Sequence, residues 1–87
     1  MTDQEVIDLI DATISEEFEI ERKDLTPDAT LFEALGFDSL DVVDLVVALE
    51  KAFQFKIREE KAVRSIRTLG EVHAFVIAKK KALEGAA

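Results

Sequence analysis

The sequence contains no cysteine, tryptophan or tyrosine, and it has one histidine and one proline. Without cysteine, the chain can form neither a disulfide framework nor a thiol nucleophile. A zinc site takes about three or four nitrogen, sulfur or carboxylate ligands, usually histidine or cysteine among them. One histidine without cysteine cannot supply such a set alone, so we expect no bound metal.

Long apolar runs are also missing, because no stretch exceeds five consecutive apolar residues. A membrane-spanning helix needs roughly 20 such residues, so we expect no membrane span. The first five residues, Met-Thr-Asp-Gln-Glu, are acidic and lack the pattern of a signal peptide. We therefore expect a cytoplasmic, monomeric protein whose 87 residues form a single domain, residues 1–87.

Basic side chains are scarce in the first part of the chain. Residues 1–50 hold 15 acidic and 2 basic side chains, a net charge of −13, whereas residues 51–87 hold 4 and 9, a net charge of +5. The total of −8 argues against nucleic acid as a partner, because a phosphate backbone is bound by Lys and Arg. It favours protein partners with basic patches. Either the two parts attract each other, or they face different kinds of partner.

The most informative stretch is Gly-Phe-Asp-Ser-Leu-Asp at residues 36–41, followed by an apolar run over residues 42–53. Its glycine permits a backbone conformation that other residues resist. Either Asp38 or Ser39 can cap a helix start, since a short side-chain oxygen accepts an orphan backbone N–H. Asp41 follows in the first turn, where a negative charge meets the positive end of the helix dipole. The stretch predicts a loop that ends in a helix, with Ser39 at its start.

Two apolar stripes run along this predicted helix. The core-facing stripe has members at helical spacing: Val42, Leu45, Val46, Leu49 and Phe53. The second stripe lies on another face and is edged by acids: Leu40, Val43 and Val47, beside Asp41, Asp44 and Glu50. A surface helix of a small domain needs one apolar stripe. The second is either buried as well or offered to a partner, and we favour the partner.

Other patterns predict the elements before this helix. A first helix begins after Thr2 or Asp3 and runs to about Phe18, with a clear helical period. A long connection over residues 18–38 follows, with a turn around Pro27 and one helical turn over residues 32–35. The apolar residues of the connection are expected to hold it across the bundle: Ile20, Leu25, Leu31, Phe32, Leu35 and Phe37.

The second half of the chain predicts two further helices. A short third helix is expected over residues 59–65, and Thr68 can cap a last helix. The apolar face of the last helix is expected to include Leu69, Val72, Phe75 or Val76, and Leu83. The predicted fold class is therefore all-α: a four-helix bundle of three longer helices and one short third helix, with a long first loop.

The segment LGFDSLDVVDLVVALEKAF resembles the signature of acyl carrier proteins, and the similarity extends from Val6 to about Val76. The matching positions are Gly36, Asp38, Ser39, Leu40, Asp41, Leu45 and Ala48-Leu49-Glu50. The resemblance implies that Ser39 carries a covalent 4′-phosphopantetheine arm, which a phosphopantetheinyl transferase moves from coenzyme A. Asp38 favours the acyl branch, since the related peptidyl carriers usually lack an Asp before the Ser.

By the same resemblance, the chain is a carrier and not an enzyme. It would hold acyl intermediates as thioesters in fatty acid, polyketide or related lipid biosynthesis. Implied partners are the transferase and acyl-transfer, condensing and modifying enzymes with basic patches. The implied partner-recognition residues are Asp38, Leu40, Asp41, Val43, Asp44, Val47 and Glu50. Bases such as Lys51 and Lys56 stand where carriers of fatty acid synthesis often keep acids. A specialised carrier is therefore at least as good an interpretation as a housekeeping one.

The alternative from another class is a non-carrying helical interaction module, in which Ser39 is a helix cap. A catalytic role for Ser39 is disfavoured, because a nucleophilic serine needs a nearby base and no Gly-x-Ser-x-Gly turn is present. His73 is distant in sequence and stands where the carrier family usually has an apolar residue. We interpret it as a partly buried neutral side chain rather than a ligand.

Charge reversal in the basic part tests whether it selects partners. We expect Lys51→Glu/Lys56→Glu/Lys61→Glu to be loaded or elongated faster by a generic fatty acid synthase enzyme, because each exposed ion pair contributes about 0.2–1 kcal/mol. The gain should be largest at low salt, where screening is weakest. The same variant should work less well with the protein's own partner. Rates with the generic enzyme that equal wild type at low and high salt would contradict this.

Overall fold

The computed structural model describes residues 1–57 and 65–85, which form three α-helices and one turn of 3-10 helix. The elements in chain order are α1 (Asp3–Phe18), the 3-10 helix (Arg22–Asp24), α2 (Ser39–Phe53) and α3 (Leu69–Gly85). In these two segments, backbone pairing of the strand type is limited to an isolated bridge between Thr30 and Thr68. The predicted all-α class is therefore confirmed. No helix within the described residues is long and apolar enough to cross a bilayer.

The predicted short third helix, residues 59–65, lies outside the described residues except for its last position. The count of four helices thus stays a prediction. Lys61, one of the three residues changed in the charge-reversal variant, also lies outside the described residues. The connection between α1 and α2 contains the 3-10 helix Arg22–Asp24, which was not predicted from the sequence. That helix is a single turn without apolar residues, so it leaves no hydrophobic period to read.

α1 begins with a capping box, in which Thr2, one of the two residues predicted to precede the helix, is the N-cap. The Thr2 hydroxyl accepts the N–H of Glu5 at 3.2 Å, and the Glu5 carboxylate accepts the N–H of Thr2 at 2.8 Å. This backbone hydrogen bond holds the pKa of Glu5 below its usual value. Because the pKa of Glu5 is lower in the folded state, its carboxylate stabilises the fold at a pH above the pKa of the unfolded state. This contribution is lost as the pH falls through the pKa of the folded state.

A single apolar core is shared by the helices and the first connection. Its most deeply buried side chains come from all of these parts except α2: Ile10, Ile14, Leu31, Leu69 and Val76. From α2 the core takes Leu45 and Leu49, each 3 % exposed, while the other members of the core-facing stripe are half-buried. The predicted core-facing stripe of α2 is therefore confirmed.

Two residues expected in the core are exposed instead. Phe32 is 50 % exposed, because its neighbour Leu31 occupies the core and the turn directs the next side chain outward. Leu83 is 49 % exposed in the last turns of α3. The Lys81 Nζ lies 3.6 Å from the carboxylate of Asp3. Leu83 follows that contact, and Asp3 is the first residue of α1.

Backbone hydrogen bonds tie the first connection to the start of α3. The N–H of Leu31 donates to the carbonyl of Arg67 at 2.9 Å, and the N–H of Leu69 donates to the carbonyl of Ala29 at 2.9 Å. The N–H of Gly70 donates to the carbonyl of Pro27 at 2.8 Å. A Cβ at position 70 would lie 2.9 Å from that carbonyl oxygen, so only glycine allows this approach without a shift.

His73 makes a buried polar contact between α1 and α3. Its Nε2 lies 2.8 Å from Oδ1 of Asp11, and the two side chains are 7 % and 13 % exposed. A partly buried histidine was predicted from the sequence, but its pairing with Asp11 was not. Removing either partner would leave a buried polar group unsatisfied, so the pair favours one register between the two helices.

The two stripes of α2 predict different losses on truncation. Leu49→Ala should lower the free energy of unfolding by roughly 2–4 kcal/mol, because it removes a buried side chain. Val47→Ala should change it by no more than about 0.5 kcal/mol, since Val47 is 45 % exposed. Urea unfolding of both variants measures the difference. Equal losses would show that Val47 belongs to the core.

Candidate functional site

The site is the junction where the first connection enters α2. Gly36 has φ of +72°, a left-handed conformation that glycine adopts readily. The next residue, Phe37, is 5 % exposed, and its N–H donates to the carbonyl of Leu31 at 2.9 Å. Its ring centroid lies 4.6 Å from that of Phe18, at the end of α1. These contacts fix the backbone immediately before the helix starts.

Asp38, and not Ser39, caps α2. Its Oδ1 accepts the N–H of Asp41 at 2.9 Å, and Oδ2 of Asp41 accepts the N–H of Asp38 at 3.0 Å. This reciprocal pair is a capping box built from two aspartates. It resolves the choice that the sequence left open between Asp38 and Ser39. It also removes the structural role that the alternative interpretation gave to the serine.

Ser39 is the first residue of α2 and is exposed to solvent. Within the described ranges, its hydroxyl makes no hydrogen bond. The N–H groups of Ser39 and Leu40 lie in the first turn, where helix geometry provides no intrahelical acceptor. An unengaged hydroxyl beside two orphan donors is thus presented at a defined point on the surface.

The second stripe of α2 is exposed along its length. Leu40 is 75 %, Val43 59 % and Val47 45 % exposed, and the carboxylate of Asp44 is also on the surface. The stripe is therefore not part of the core. Its role in partner contact stays a prediction, as does that of the acids beside it.

Ser39 has no catalytic base in the described structure. The ring of His73 is buried against Asp11, between α1 and α3, and it makes no hydrogen bond to Ser39. Within residues 1–57 and 65–85, no group of three or more His, Asp or Glu side chains could hold a metal ion. The described residues therefore provide no hydrogen-bonded base that could activate the Ser39 hydroxyl.

A small apolar cavity lies between α2 and α3. Its volume is about 20 Å³, and its lining includes Val42 and Val46 from α2 and Val72 and Phe75 from α3. A cavity of this size holds about one water molecule. A long acyl chain could enter only if the surrounding helices moved apart.

Comparison with known proteins identifies relatives along nearly the whole chain. The sequence profile of the family described as "Phosphopantetheine attachment site" matches residues 8–76. The acyl carrier protein of Cyanidioschyzon merolae is 35 % identical over 83 residues, which cover 95 % of this chain and 90 % of the relative. The acyl carrier protein of Prochlorococcus marinus is 38 % identical over 80 residues, which cover 92 % and 99 %.

Solved structures show the same likeness in three dimensions. A structure described as an acyl carrier protein from Mycobacterium tuberculosis matches with a TM-score of 0.76 and 32 % identity, covering 84 % of this chain and 96 % of that one. The acyl carrier protein of Enterococcus faecalis matches with a TM-score of 0.70 and 29 % identity, covering 90 % and 98 %. Sequence and structure therefore lead to the same family.

Substitutions of the neighbouring residues Asp38 and Ser39 test which of the two caps α2. Asp38→Ala should lower the free energy of unfolding by about 0.5–2 kcal/mol, the usual loss for a helix cap. Ser39→Ala should change it by no more than about 0.5 kcal/mol, because the exposed hydroxyl has no hydrogen bond to lose. Urea unfolding at pH 7 measures both. A larger loss for Ser39→Ala would assign the cap to the serine.

Proposed function

The chain belongs to the acyl carrier protein family, and from that premise we propose that Ser39 carries its 4′-phosphopantetheine group. Proteins of this family are carriers and not enzymes. The proposal rests on one observation: Ser39 presents an exposed, unengaged hydroxyl at the first residue of α2, while Asp38 provides the cap. A serine that is not needed for the helix start is available for modification.

The surroundings of Ser39 fit the phosphodiester of that group. The N–H groups of Ser39 and Leu40 and the positive end of the helix dipole favour a negative charge at this point. Asp38 and Asp41 oppose it, but each directs one carboxylate oxygen to a backbone N–H of the capping box. When attached, the arm supplies a terminal thiol that holds acyl groups as thioesters.

Attachment requires only a nucleophilic oxygen from this chain. The Ser39 Oγ forms a bond to the phosphorus atom of coenzyme A that bears the pantetheine half. The bond from that phosphorus to the bridging oxygen breaks, and adenosine 3′,5′-bisphosphate leaves. The hydroxyl proton passes to a base on the phosphopantetheinyl transferase, which accounts for the lack of a base beside Ser39.

The outward face of α2 would receive the enzymes that use the carried group. Its apolar centre, Leu40, Val43 and Val47, is bordered by the carboxylates of Asp44 and Glu50. A partner with an apolar groove edged by Lys and Arg matches this arrangement. The charges would mainly set the association rate and its salt dependence, and the apolar centre would contribute most of the affinity.

We propose that the chain is a cytoplasmic monomer that carries acyl groups for the enzymes of fatty acid, polyketide or related lipid biosynthesis. Exposed Lys51 and Lys56 follow the acidic face of α2 and would repel a uniformly basic partner. This contrast favours a specialised carrier with a dedicated enzyme set. The partners would include acyl-transfer, condensing and modifying enzymes.

A non-carrying interaction module is the second candidate, because the exposed stripe of α2 suits any protein partner. That candidate used Ser39 as a helix cap, a role that Asp38 fills. It predicts that coenzyme A and a transferase leave the chain unchanged.

Intact-mass measurement distinguishes the two candidates. After incubation with coenzyme A and a broad-specificity phosphopantetheinyl transferase, the wild-type chain should gain one phosphopantetheinyl group, located on Ser39 by peptide mapping. Ser39→Ala should gain none. Ser65→Ala is the matched control, since Ser65 is also exposed, and it should be modified like the wild type. No mass change in the wild type, or modification elsewhere, would refute the proposal.

A further inference from the structure

Phe32 is the one aromatic side chain that the fold leaves exposed. All six phenylalanines lie within the described ranges, and Phe32 is 50 % exposed, whereas Phe37 is buried and the others pack partly buried on the core. A single exposed apolar residue is ordinary on a protein surface. Phe32 differs from such a residue in two respects: it lies on a turn closed by hydrogen bonds, and that turn is joined to the start of α2.

The turn that carries Phe32 is closed by three hydrogen bonds to Thr30. The N–H groups of Ala34 and Leu35 donate to its carbonyl at 3.1 and 3.0 Å, and the N–H of Ala34 also lies 3.0 Å from its hydroxyl oxygen. Leu31, beside Phe32, is 1 % exposed and anchors the turn in the core. Phe32 cannot turn inward without breaking this arrangement, so its exposure is built into the fold.

The same turn is joined to the start of α2. The N–H of Phe37 donates to the carbonyl of Leu31 at 2.9 Å, and Ser39 follows two residues later. Standard backbone dimensions therefore limit the distance between the Cα atoms of Phe32 and Ser39 to roughly 18 Å. A standard interface buries about 800 Å² on each partner, a patch roughly 32 Å across. A patch of this size centred on Ser39 extends about 16 Å from its centre, so Phe32 lies within it or at its edge.

We propose that Phe32 is a second docking point for the phosphopantetheinyl transferase, inserted into an apolar pocket with a basic residue at its edge. The inference rests on the proposed attachment at Ser39. The transferase is the partner that must bring its active site to the Ser39 oxygen, so its contact area is centred there. Enzymes that act later reach the carried thiol through the arm and are under no such constraint.

The chemistry around Phe32 repeats that of the α2 face. Phe32 is followed by exposed Glu33, just as Leu40 is followed by Asp41 and Val43 by Asp44. An apolar side chain beside a carboxylate fits a pocket bordered by Lys or Arg. Large aromatic side chains buried in such pockets are frequent binding hot spots.

Transfer kinetics with matched variants test this inference. With a broad-specificity transferase and saturating coenzyme A, Phe32→Ala should lower kcat/KM for the carrier about tenfold, mainly through a higher KM. Phe32→Leu should retain most of the wild-type value, since it keeps an apolar side chain. Leu83→Ala is the control, because Leu83 is 49 % exposed on α3 and should leave kcat/KM unchanged.

Each outcome bears on one proposal. If the wild type is not modified, the attachment proposal fails. If the wild type is modified and Phe32→Ala matches it, attachment stands and the docking inference is overturned. A lower urea midpoint for Phe32→Ala would also overturn it, because it would show that Phe32 supports the fold. An equal loss of kcat/KM in Leu83→Ala would show that exposed apolar area in general, and not Phe32, assists the enzyme.

Discussion

The position of the site depends on the burial of Phe37. Its ring packs against Phe18 at the end of α1, and its N–H is bonded to the carbonyl of Leu31. Leu31 is in turn bonded through its own N–H to the carbonyl of Arg67, just before α3. The residue before the cap of α2 is thus held by contacts from three parts of the chain. Ser39 emerges at the surface because the residue two positions earlier cannot leave the core.

Adjacent residues at the start of α2 have separate tasks. Phe37 anchors the backbone, Asp38 and Asp41 satisfy each other's N–H groups, and Ser39 is left without a structural duty. This separation suits an attachment point, because a modified serine could no longer serve as a cap without disturbing the helix. The capping hydrogen bonds therefore do not use the Ser39 hydroxyl, whether it is free or esterified.

The apolar residues on the two faces of α2 have different roles. Leu45 and Leu49 stabilise the bundle, while Leu40 and Val43 remain in water at a cost that a protein partner would recover. The first connection exposes another apolar side chain, Phe32, on a turn closed by hydrogen bonds to Thr30. Exposed carboxylates follow two of these side chains in sequence, Glu33 after Phe32 and Asp44 after Val43.

The sequence by itself determined the helix periods, the inner face of α2 and the motif around Ser39, because these depend on spacing along the chain. Tertiary structure decided which residues of the connection entered the core. Leu31 and Phe32 are both apolar, but Leu31 is buried and bonded through its backbone to Arg67 and Phe37, whereas Phe32 is exposed. It also decided the pairing of His73 with Asp11, residues 62 positions apart. Contacts between distant segments carry no local period, so propensity and spacing could not reveal them.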